Sequence, residues 1–308
     1  MSLLDGETTV RLGFFLGVLL VMALAEMFVP RRHLTVSRPR RWSANLGLAV
    51  LNTLVLRAVL PVGVVGVALV AEQRRWGLLH DDLGLPEWLS VVLAVLALDL
   101  AIYFQHVLFH AVPVLWRLHM VHHADPDFDV TTGLRFHTLE MLLSLGIKLA
   151  VVVLLGAPAL AVLCFEVLLN ATSMFNHGNI RIPAGLERAL RLVLVTPDMH
   201  RVHHSVIVRE TNSNFGFNVP WWDFLFGTYR GQPADGHDRM AIGLAQVRDA
   251  RAMRLLSMVA LPFGREMGRY PINRRGTNGP ISDSDADDAT TQTPARPPVL
   301  VSTSRDAS

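Results

Sequence analysis

Four long apolar segments restrict the fold of this chain more than any other feature of its sequence. They are Leu12–Val29, Ser43–Ala71, Leu89–Pro113 and Leu139–Phe175, and each contains few charged residues. A helix of about 20 apolar residues crosses the roughly 30 Å hydrocarbon core of a bilayer, where a spanning segment must satisfy its own backbone hydrogen bonds. Pro158 interrupts the last segment, which predicts two helices in a hairpin. We therefore predict an all-α, polytopic membrane helical bundle of about 4–5 membrane helices.

The composition supports this class of fold. Hydrophobic residues make up 51% of the 308 residues and charged residues 18%, which is typical of a membrane protein. The single cysteine, Cys164, excludes an internal disulfide and metal sites that need two or four thiolates. A metal would therefore be held mainly by imidazole or carboxylate. The arginines cluster beside the apolar segments, which indicates orientation in a bilayer rather than binding to nucleic acid.

The positive charge between the apolar segments predicts their orientation. The loop between the first two segments holds Arg31, Arg32, Arg38, Arg40 and Arg41, and the next loop holds Arg74 and Arg75. The positive-inside rule then places residues 31–41 and the histidine-rich region in the cytoplasm, with the N-terminus outside and the C-terminus inside. The leader before the first segment is acidic, so we expect that segment to be retained rather than cleaved. The expected location is the membrane, the plasma membrane in a prokaryote.

The chain divides into four parts by composition. Residues 1–88 form the N-terminal membrane helices, and residues 89–231 hold most of the histidines. We interpret residues 232–272 as a helical segment of a cytoplasmic cap and residues 273–308, rich in Ser, Thr, Asp and Pro, as a disordered tail. The stretch Leu255–Phe263 is either a helix on the bilayer surface or an ordinary packed helix.

A three-histidine motif, H-x-x-H-H, occurs twice. Its members are His119, His122 and His123 in the first copy and His200, His203 and His204 in the second. Positions i, i+3 and i+4 share a helical face, so we expect each triplet to converge on one point. His106 and His110 are spaced in the same way. Pro197 after Thr196 predicts that the helix of the second triplet begins there, with Thr196 as its N-cap.

Two further histidines complete a set of ten candidate metal ligands. His137 and His177 lie where apolar segments begin or end beside the motifs. Asp99 precedes His106 by about two helical turns, and we expect it to hydrogen-bond a ligand imidazole from behind. Ten imidazoles exceed the roughly four to six ligands of one ion, which indicates two ions. Nitrogen donors permit iron, zinc, copper or nickel. The isolated histidines are interpreted as ordinary polar residues; they are His33, His80 and His237.

A family resemblance rests on four stretches of this sequence. They are DLAIYFQHVLFHAVPVLWRLHMVHHADPDFDVTTGLRFHTLE, FNHGN, TPDMHRVHHS and NSNFGFNVPWWDFLFGTY, spread over roughly residues 90–231. Together they resemble the fatty acid hydroxylase and sterol desaturase superfamily of membrane-embedded enzymes. The family's histidine boxes fall on His106 and His110, on the first triplet and on the second triplet, and His177 matches a further ligand. The chain departs from the pattern at Ser173, where some members have another histidine, so His137 is a candidate for that role, and at Thr138, where proline is common.

The resemblance implies a di-iron centre that uses O2 to hydroxylate or desaturate a lipid. Residues 89–231 would then be the catalytic domain, and the cytoplasmic cap would carry the histidine-rich di-metal site. Asp99, Asn214 and Asp223 are expected to support the metal ligands, the last two from the family's closing signature. Sterols, fatty acyl chains, ether lipids and carotenoids all suit an apolar cleft. Electrons are expected from a separate ferredoxin or cytochrome-type donor with its reductase, because the sequence shows no dinucleotide-binding fingerprint.

Two alternatives remain open from the sequence. The same ligands suit a zinc-containing or redox-inactive relative. A non-enzymatic membrane protein is the other alternative, such as a metal transporter or a bis-histidine haem carrier. Haem needs only two axial imidazoles, and a transporter is expected to place its ligands near the middle of the membrane. The sequence leaves the lipid substrate, the choice between hydroxylation and desaturation, and the oligomeric state open.

Overall fold

A computed structural model describes residues 6–79, 84–249, 253–264 and 268–273. Every named element among these residues is helical, and they contain only isolated β-bridges. The α-helices are α1 (Glu7–Phe28), α2 (Arg38–Val59), α3 (Gly63–Gln73), α4 (Glu87–Ala111), α5 (Pro113–His123), α6 (Thr138–Leu155), α7 (Ala159–Asn176), α8 (Ala184–Leu190), α9 (Pro197–His203), α10 (Val208–Thr211), α11 (Trp221–Phe226), α12 (Gly236–Arg239) and α13 (Leu255–Ala260). Short 3₁₀ turns lie at Thr132–Leu134 and Leu261–Phe263. The predicted all-α fold is confirmed.

Five stretches of the described residues are long and apolar enough to cross a membrane, as the sequence predicts. They are α1, α2 together with α3, α4, α6 and α7. The predicted hairpin is formed by α6 and α7, which have 18 residues each, or about 27 Å. Gly156 closes α6 in the left-handed region at φ 62°. A Cβ at Gly156 would lie 2.2 Å from the Trp76 carbonyl oxygen, so the hairpin tip packs directly on the loop after α3.

The second apolar segment differs from a single straight span. Its helix begins at Arg38, before the apolar residues, and stops at Val59, and α3 starts at Gly63. Pro61 lies in the gap, where a proline removes one backbone donor and clashes with the preceding turn. The first turns of α2 do not face lipid, because Arg41 and Asn45 are buried against residues 125–135.

The helix α7 lies at the centre of the bundle. It packs against α1, α3 and α4, and residues such as Phe165 on α7 and Leu98 on α4 form the main apolar core. Charged groups on α7 are paired within the membrane region: Glu166 bonds Lys148 at 3.0 Å and Arg11 at 3.1 Å. The helix α4 also packs against α5, and α7 packs against α9. These contacts connect the bundle to the short helices.

Residues 178–249 form a cap of short helices and loops over that end of the bundle. Glu26, at the end of α1, accepts hydrogen bonds from the backbone of Val130 and Asn179 at 2.7 and 2.9 Å. Glu26 thereby ties the bundle to the cap. Arg57 on α2 bonds the Thr8 hydroxyl and the Pro61 carbonyl oxygen. The stretch Leu255–Phe263 is helical, with Met258 buried and Leu256 exposed. The predicted disordered tail, apart from its first residue, and His80 lie outside the described residues.

Candidate metal centre

Nine buried histidines form two clusters, in each of which the candidate ligand nitrogens lie within 4.8 Å of one another. The first cluster contains His106, His110, His119, His123 and His203. The second contains His122, His177, His200 and His204. The clusters adjoin, since the rings of His123 and His204 stack at 4.6 Å between centroids. The helices α4, α5, α7 and α9 thus contribute ligands to one continuous site.

Each H-x-x-H-H motif is divided between the two clusters, so the expectation that each triplet converges on one point is wrong. In the first copy His119 and His123 enter the first cluster and His122 enters the second. The second copy does the reverse, with His203 in the first cluster and its other two histidines in the second. At about 100° per residue, positions i and i+4 are about 40° apart, whereas i+3 and i+4 are about 100° apart. The motif therefore serves two centres from one helix.

The outward nitrogens of four histidines in the first cluster are hydrogen-bonded to protein oxygens. The pairs are His106 with the Phe215 carbonyl at 2.8 Å, His110 with Asn212 Oδ1 at 3.0 Å, His119 with Glu140 Oε1 at 2.6 Å and His203 with the Ser213 carbonyl at 2.7 Å, all through Nδ1. Because each partner is an acceptor, Nδ1 carries the proton and Nε2 keeps its lone pair. The four Nε2 atoms lie buried without a hydrogen-bond partner, as do both ring nitrogens of His123.

The second cluster is built around His177, which caps the end of α7. Its Nδ1 donates to the Ser173 carbonyl at 2.7 Å. Its Nε2 lies 3.1–3.2 Å from the Nε2 atoms of His122, His200 and His204. Ligands about 2.0–2.1 Å from one ion are separated by about 3 Å, so this spacing suits a common ion.

The donor set fits metal ions better than it fits a hydrogen-bond network. Buried polar atoms without partners are costly, and lone pairs that face one another cannot all be satisfied by the few protons available. A cation satisfies several at once, and neutral imidazole suits iron, zinc, copper and nickel. The residues present therefore fit two metal ions.

Burial keeps the histidines outside the membrane helices in the neutral form that metals bind. It lowers the pKa of His123, His200 and His203 well below the usual 6.5, and repulsion between neighbouring imidazoles lowers it further. Burial lowers the pKa of His177 to about 3. At neutral pH, protons therefore compete little with a metal ion for these ring nitrogens.

Local sequence signals position the helices that carry these ligands. Proline occupies the first position of α5 and α9, where its missing N–H is not needed. The predicted N-cap is confirmed, because the Thr196 hydroxyl accepts from the Met199 amide at 3.3 Å. Gly133 lets the loop pass close to α7, since a Cβ there would lie 2.4 Å from the Ser173 oxygen and 3.1 Å from His177 Nδ1.

A buried ion network holds the loop that follows the first triplet. Arg41 on α2 bonds Asp125 and Asp129 at 2.7 Å each, and all three side chains are inaccessible to solvent. Burial alone would raise the pKa of Asp125, but the attraction of Arg41 outweighs it and holds the pKa at about 2. From the sequence, Arg41 is only a signal of orientation, and the structure shows it as a buried ion-pair partner. The D-P-D-F-D run directly after the histidines was the signal that could have shown its role.

The three residues expected to support the ligands have different surroundings. Asp99 accepts hydrogen bonds from Asn218 and Trp222 rather than from an imidazole, so the expected bond to a ligand is not formed. Asp223 accepts from the Phe215 and Gly216 amides at 2.8 Å, and Phe215 in turn holds His106 through its carbonyl. Asn214, at φ 53°, donates to the carbonyl oxygens of Met199 and Arg230 at 2.9 Å and so fixes the closing loop.

The structure does not bring His137 into either cluster. Its Nδ1 accepts from the Leu139 amide at 3.2 Å and caps α6, and its Nε2 lies 3.2 Å from the Val259 carbonyl oxygen. Both nitrogens are therefore engaged away from the clusters. Glu140 and Asn212 are not predictable from a local pattern, because their imidazole partners are distant in sequence. His33 is exposed, and His237 is buried beside Asp198.

Comparison with known proteins finds a family match for the histidine-rich part of the chain. Residues 91–228 match the family model for fatty acid hydroxylase, so this part of the chain is similar to that family. The resemblance predicted from the histidine motifs is confirmed.

Three curated relatives are named as lipid hydroxylases or monooxygenases. Ornithine lipid hydroxylase OlsE of Rhizobium tropici is 31% identical over 61% of this chain and 54% of that protein. Human alkylglycerol monooxygenase is 29% identical over 47% of this chain and 31% of that protein. Human cholesterol 25-hydroxylase is 30% identical over 46% of this chain and 51% of that protein. The matched part thus spans about half of the first relative and about a third of the second. No solved structure matches the chain.

Proposed function

We propose that this chain is a membrane-bound, non-haem di-iron oxidoreductase that uses O2 to hydroxylate or desaturate a lipid. The observation that carries the proposal is the pair of adjoining imidazole clusters at the ends of two apolar helices, α4 and α7. The similarity to lipid hydroxylases and monooxygenases supports the same reaction class.

The protein's part in this reaction is to bind, orient and enclose. Reduced iron would supply the electrons that activate dioxygen, which side chains alone do not provide. The nine histidines would hold the ions through ring nitrogens. In five of them an acceptor on Nδ1 keeps a proton there and fixes the orientation of the ring; they are His106, His110, His119, His177 and His203. Full burial of the clusters excludes bulk water from the reacting atoms. Zinc suits the same nitrogen donors, so measured iron content is part of the test.

A lipid substrate follows from where the clusters lie. The outer faces of α4 and α7 are exposed and apolar, as at Phe104 and Leu168. Phenylalanine rings line the clusters themselves, with Phe136 stacked on His122 at 4.4 Å and Phe215 5.1 Å from His110. A sterol or acyl chain can approach along such surfaces from the bilayer without crossing water. The name of each relative also contains a lipid.

We extend the proposal to the rest of the chain. Residues 89–231 act as the catalytic domain, preceded by membrane helices and followed by a helical segment of the cap. The positive charge of residues 31–41 supports a cytoplasmic location for the cap and its clusters by the positive-inside rule. A separate ferredoxin or cytochrome-type donor, with its reductase, supplies the electrons from that side.

Turnover under labelled oxygen tests the proposed function. The iron-loaded protein would be reconstituted in bilayers of total lipid extract with a chemical reductant under ¹⁸O₂, and the lipids analysed by mass spectrometry. Hydroxylation places ¹⁸O in a lipid, and desaturation removes two hydrogens from it. His110→Ala should abolish either product, whereas His33→Ala, at an exposed histidine outside the clusters, should retain it. Neither product from fully iron-loaded protein would contradict the proposal.

A further inference from the structure

Two stacked aromatic rings, Trp116 and Tyr270, adjoin the first cluster. Trp116 lies 4.9 Å from His110 and 5.3 Å from His123 between ring centroids. The ring of Tyr270 stacks on Trp116 at 5.4 Å with an interplanar angle of 25°. Both side chains are buried. Starting from Tyr270, a continuous path of π-systems therefore reaches two candidate metal ligands.

Hydrogen bonds hold this path in place. The Tyr270 hydroxyl donates to the Val206 carbonyl at 3.1 Å and accepts from the Ala245 amide at 3.0 Å. The Asn212 Nδ2 donates to the Tyr270 carbonyl oxygen at 2.8 Å, and the Asn212 Oδ1 accepts from His110 Nδ1. A carbonyl oxygen does not take up the phenol proton, so the Tyr270 hydroxyl keeps its proton.

Several arginines lie close to Tyr270 in sequence or in space. Arg269 precedes Tyr270, Arg209 lies in sequence between Val206 and Asn212, which bond Tyr270, and Arg248 acts electrostatically on the Tyr270 hydroxyl. These three side chains are exposed, and Arg117, next to Trp116, is half-buried. We name these four residues the arginine face. Asp249 follows Arg248 in the sequence. The surplus of positive charge is complementary to an acidic protein surface.

We propose that an acidic one-electron carrier protein of the iron–sulfur class docks on the arginine face and that electrons enter the metal centre through Tyr270 and Trp116. This inference rests on the proposed function, because it concerns the reduction of the same centre. Each transfer oxidises the carrier by one electron and reduces one bound metal ion by one electron. Two transfers reduce a two-metal centre, and no bond forms or breaks in the path.

Anaerobic reduction of the oxidised, iron-loaded protein tests the inference. The probe is an acidic [2Fe–2S] ferredoxin, reduced and freed of excess reductant, and the spectrum of the metal centre is followed in stopped flow. The double variant Arg209→Glu/Arg269→Glu should be reduced at least about tenfold more slowly than the unsubstituted protein at low salt. Raising the ionic strength should slow the unsubstituted protein and reduce the difference.

A matched double variant and a small reductant serve as controls. Arg181→Glu/Arg188→Glu places the same charge on exposed sites elsewhere on the cap and should leave the rate unchanged. Reduced methyl viologen needs no docking surface and should reduce all these proteins equally fast. Equal slowing in both double variants would overturn the inference, as would a centre that methyl viologen reduces and ferredoxin does not. A chain that takes up no redox-active metal would instead remove the proposed function.

The path itself has a separate test at Trp116. Trp116→Leu removes the ring, and Trp116→Phe keeps one. At equal metal content, the leucine variant should be reduced by ferredoxin several-fold more slowly than the phenylalanine variant. Equal rates in the two variants would exclude Trp116 from the path. The docking surface is tested separately, by the charge-reversal variants.

Discussion

Single residues decide how firmly each cluster can hold a metal ion. Glu140 differs from the other partners of the imidazoles because it offers a carboxylate, buried and 2.6 Å from His119 Nδ1. A carboxylate behind a ligand imidazole fixes the ring and raises its basicity. The first cluster therefore has one ligand that is more strongly supported than any in the second, whose central histidine bonds a backbone carbonyl.

We predict that Glu140→Gln weakens metal binding in the first cluster by about 10–100-fold. The amide can still accept from His119, but it lacks the charge that strengthens the bond. Chelator titration of purified protein, followed by metal analysis, should show one ion released earlier and the other unchanged. Asp235→Asn, at an exposed acid, is the control. Release of both ions together would contradict the independent role of the two clusters.

The residue types of the site could be predicted, but their pairing could not. Regular spacing identifies the eight motif histidines because helix geometry links positions three and four apart. The division of each motif between two clusters depends on where α5 and α9 face each other, which no local pattern contains. Asp99 and His137 show the same limit, since Asn218 and Val259, which bond them, come from distant segments.

At the scale of elements, α2 links the membrane bundle to the metal centre. Its first turns carry Arg41 into a buried network with Asp125 and Asp129 directly after the first triplet. The sequence predicts the apolar part of this helix well. It does not predict the extension to Arg38, because an arginine next to an apolar run is usually a signal of orientation and here is a buried partner.

We predict that Arg41→Ala destabilises the protein by about 3–5 kcal/mol, because two buried carboxylates lose their cation. The neighbouring Arg40 is exposed, so Arg40→Ala is a matched control and should change stability little. Thermal unfolding in detergent, with metal content measured on the same samples, distinguishes the two. Equal stability of both variants would show that the network does not support the site.

At the scale of the whole molecule, the apolar segments define the bundle and the histidines define the site, and both are visible in the sequence. The cap is less predictable, because its short helices have little periodicity and depend on contacts with α4, α5 and α7. Burial of so many imidazoles at one place also gives the molecule a property that no single element has, a dependence of stability on pH.

We predict that the metal-free protein loses stability as the pH falls below about 6.5. The folded pKa lies below the unfolded value for His123, His200 and His203, and at about 3 for His177, so the unfolded state takes up more protons in this range. Each such histidine contributes up to about 1.4 kcal/mol per pH unit. The histidine contribution is thus complete above the unfolded pKa, and Asp125, with its pKa held at about 2, affects stability only below about pH 4. An unfolding temperature that is constant between pH 7.5 and 5 in detergent would contradict this.

Metal content of the detergent-purified protein tests the central claim most directly. Elemental analysis of iron-replete material, with Mössbauer spectra of isotope-enriched samples, should show about two coupled irons per chain. His122→Ala and His203→Ala should each lose the ion of a different cluster, while His33→Ala keeps both. Two zincs without iron would contradict the proposed oxygen chemistry, and no metal at all would contradict the assignment of the two histidine clusters.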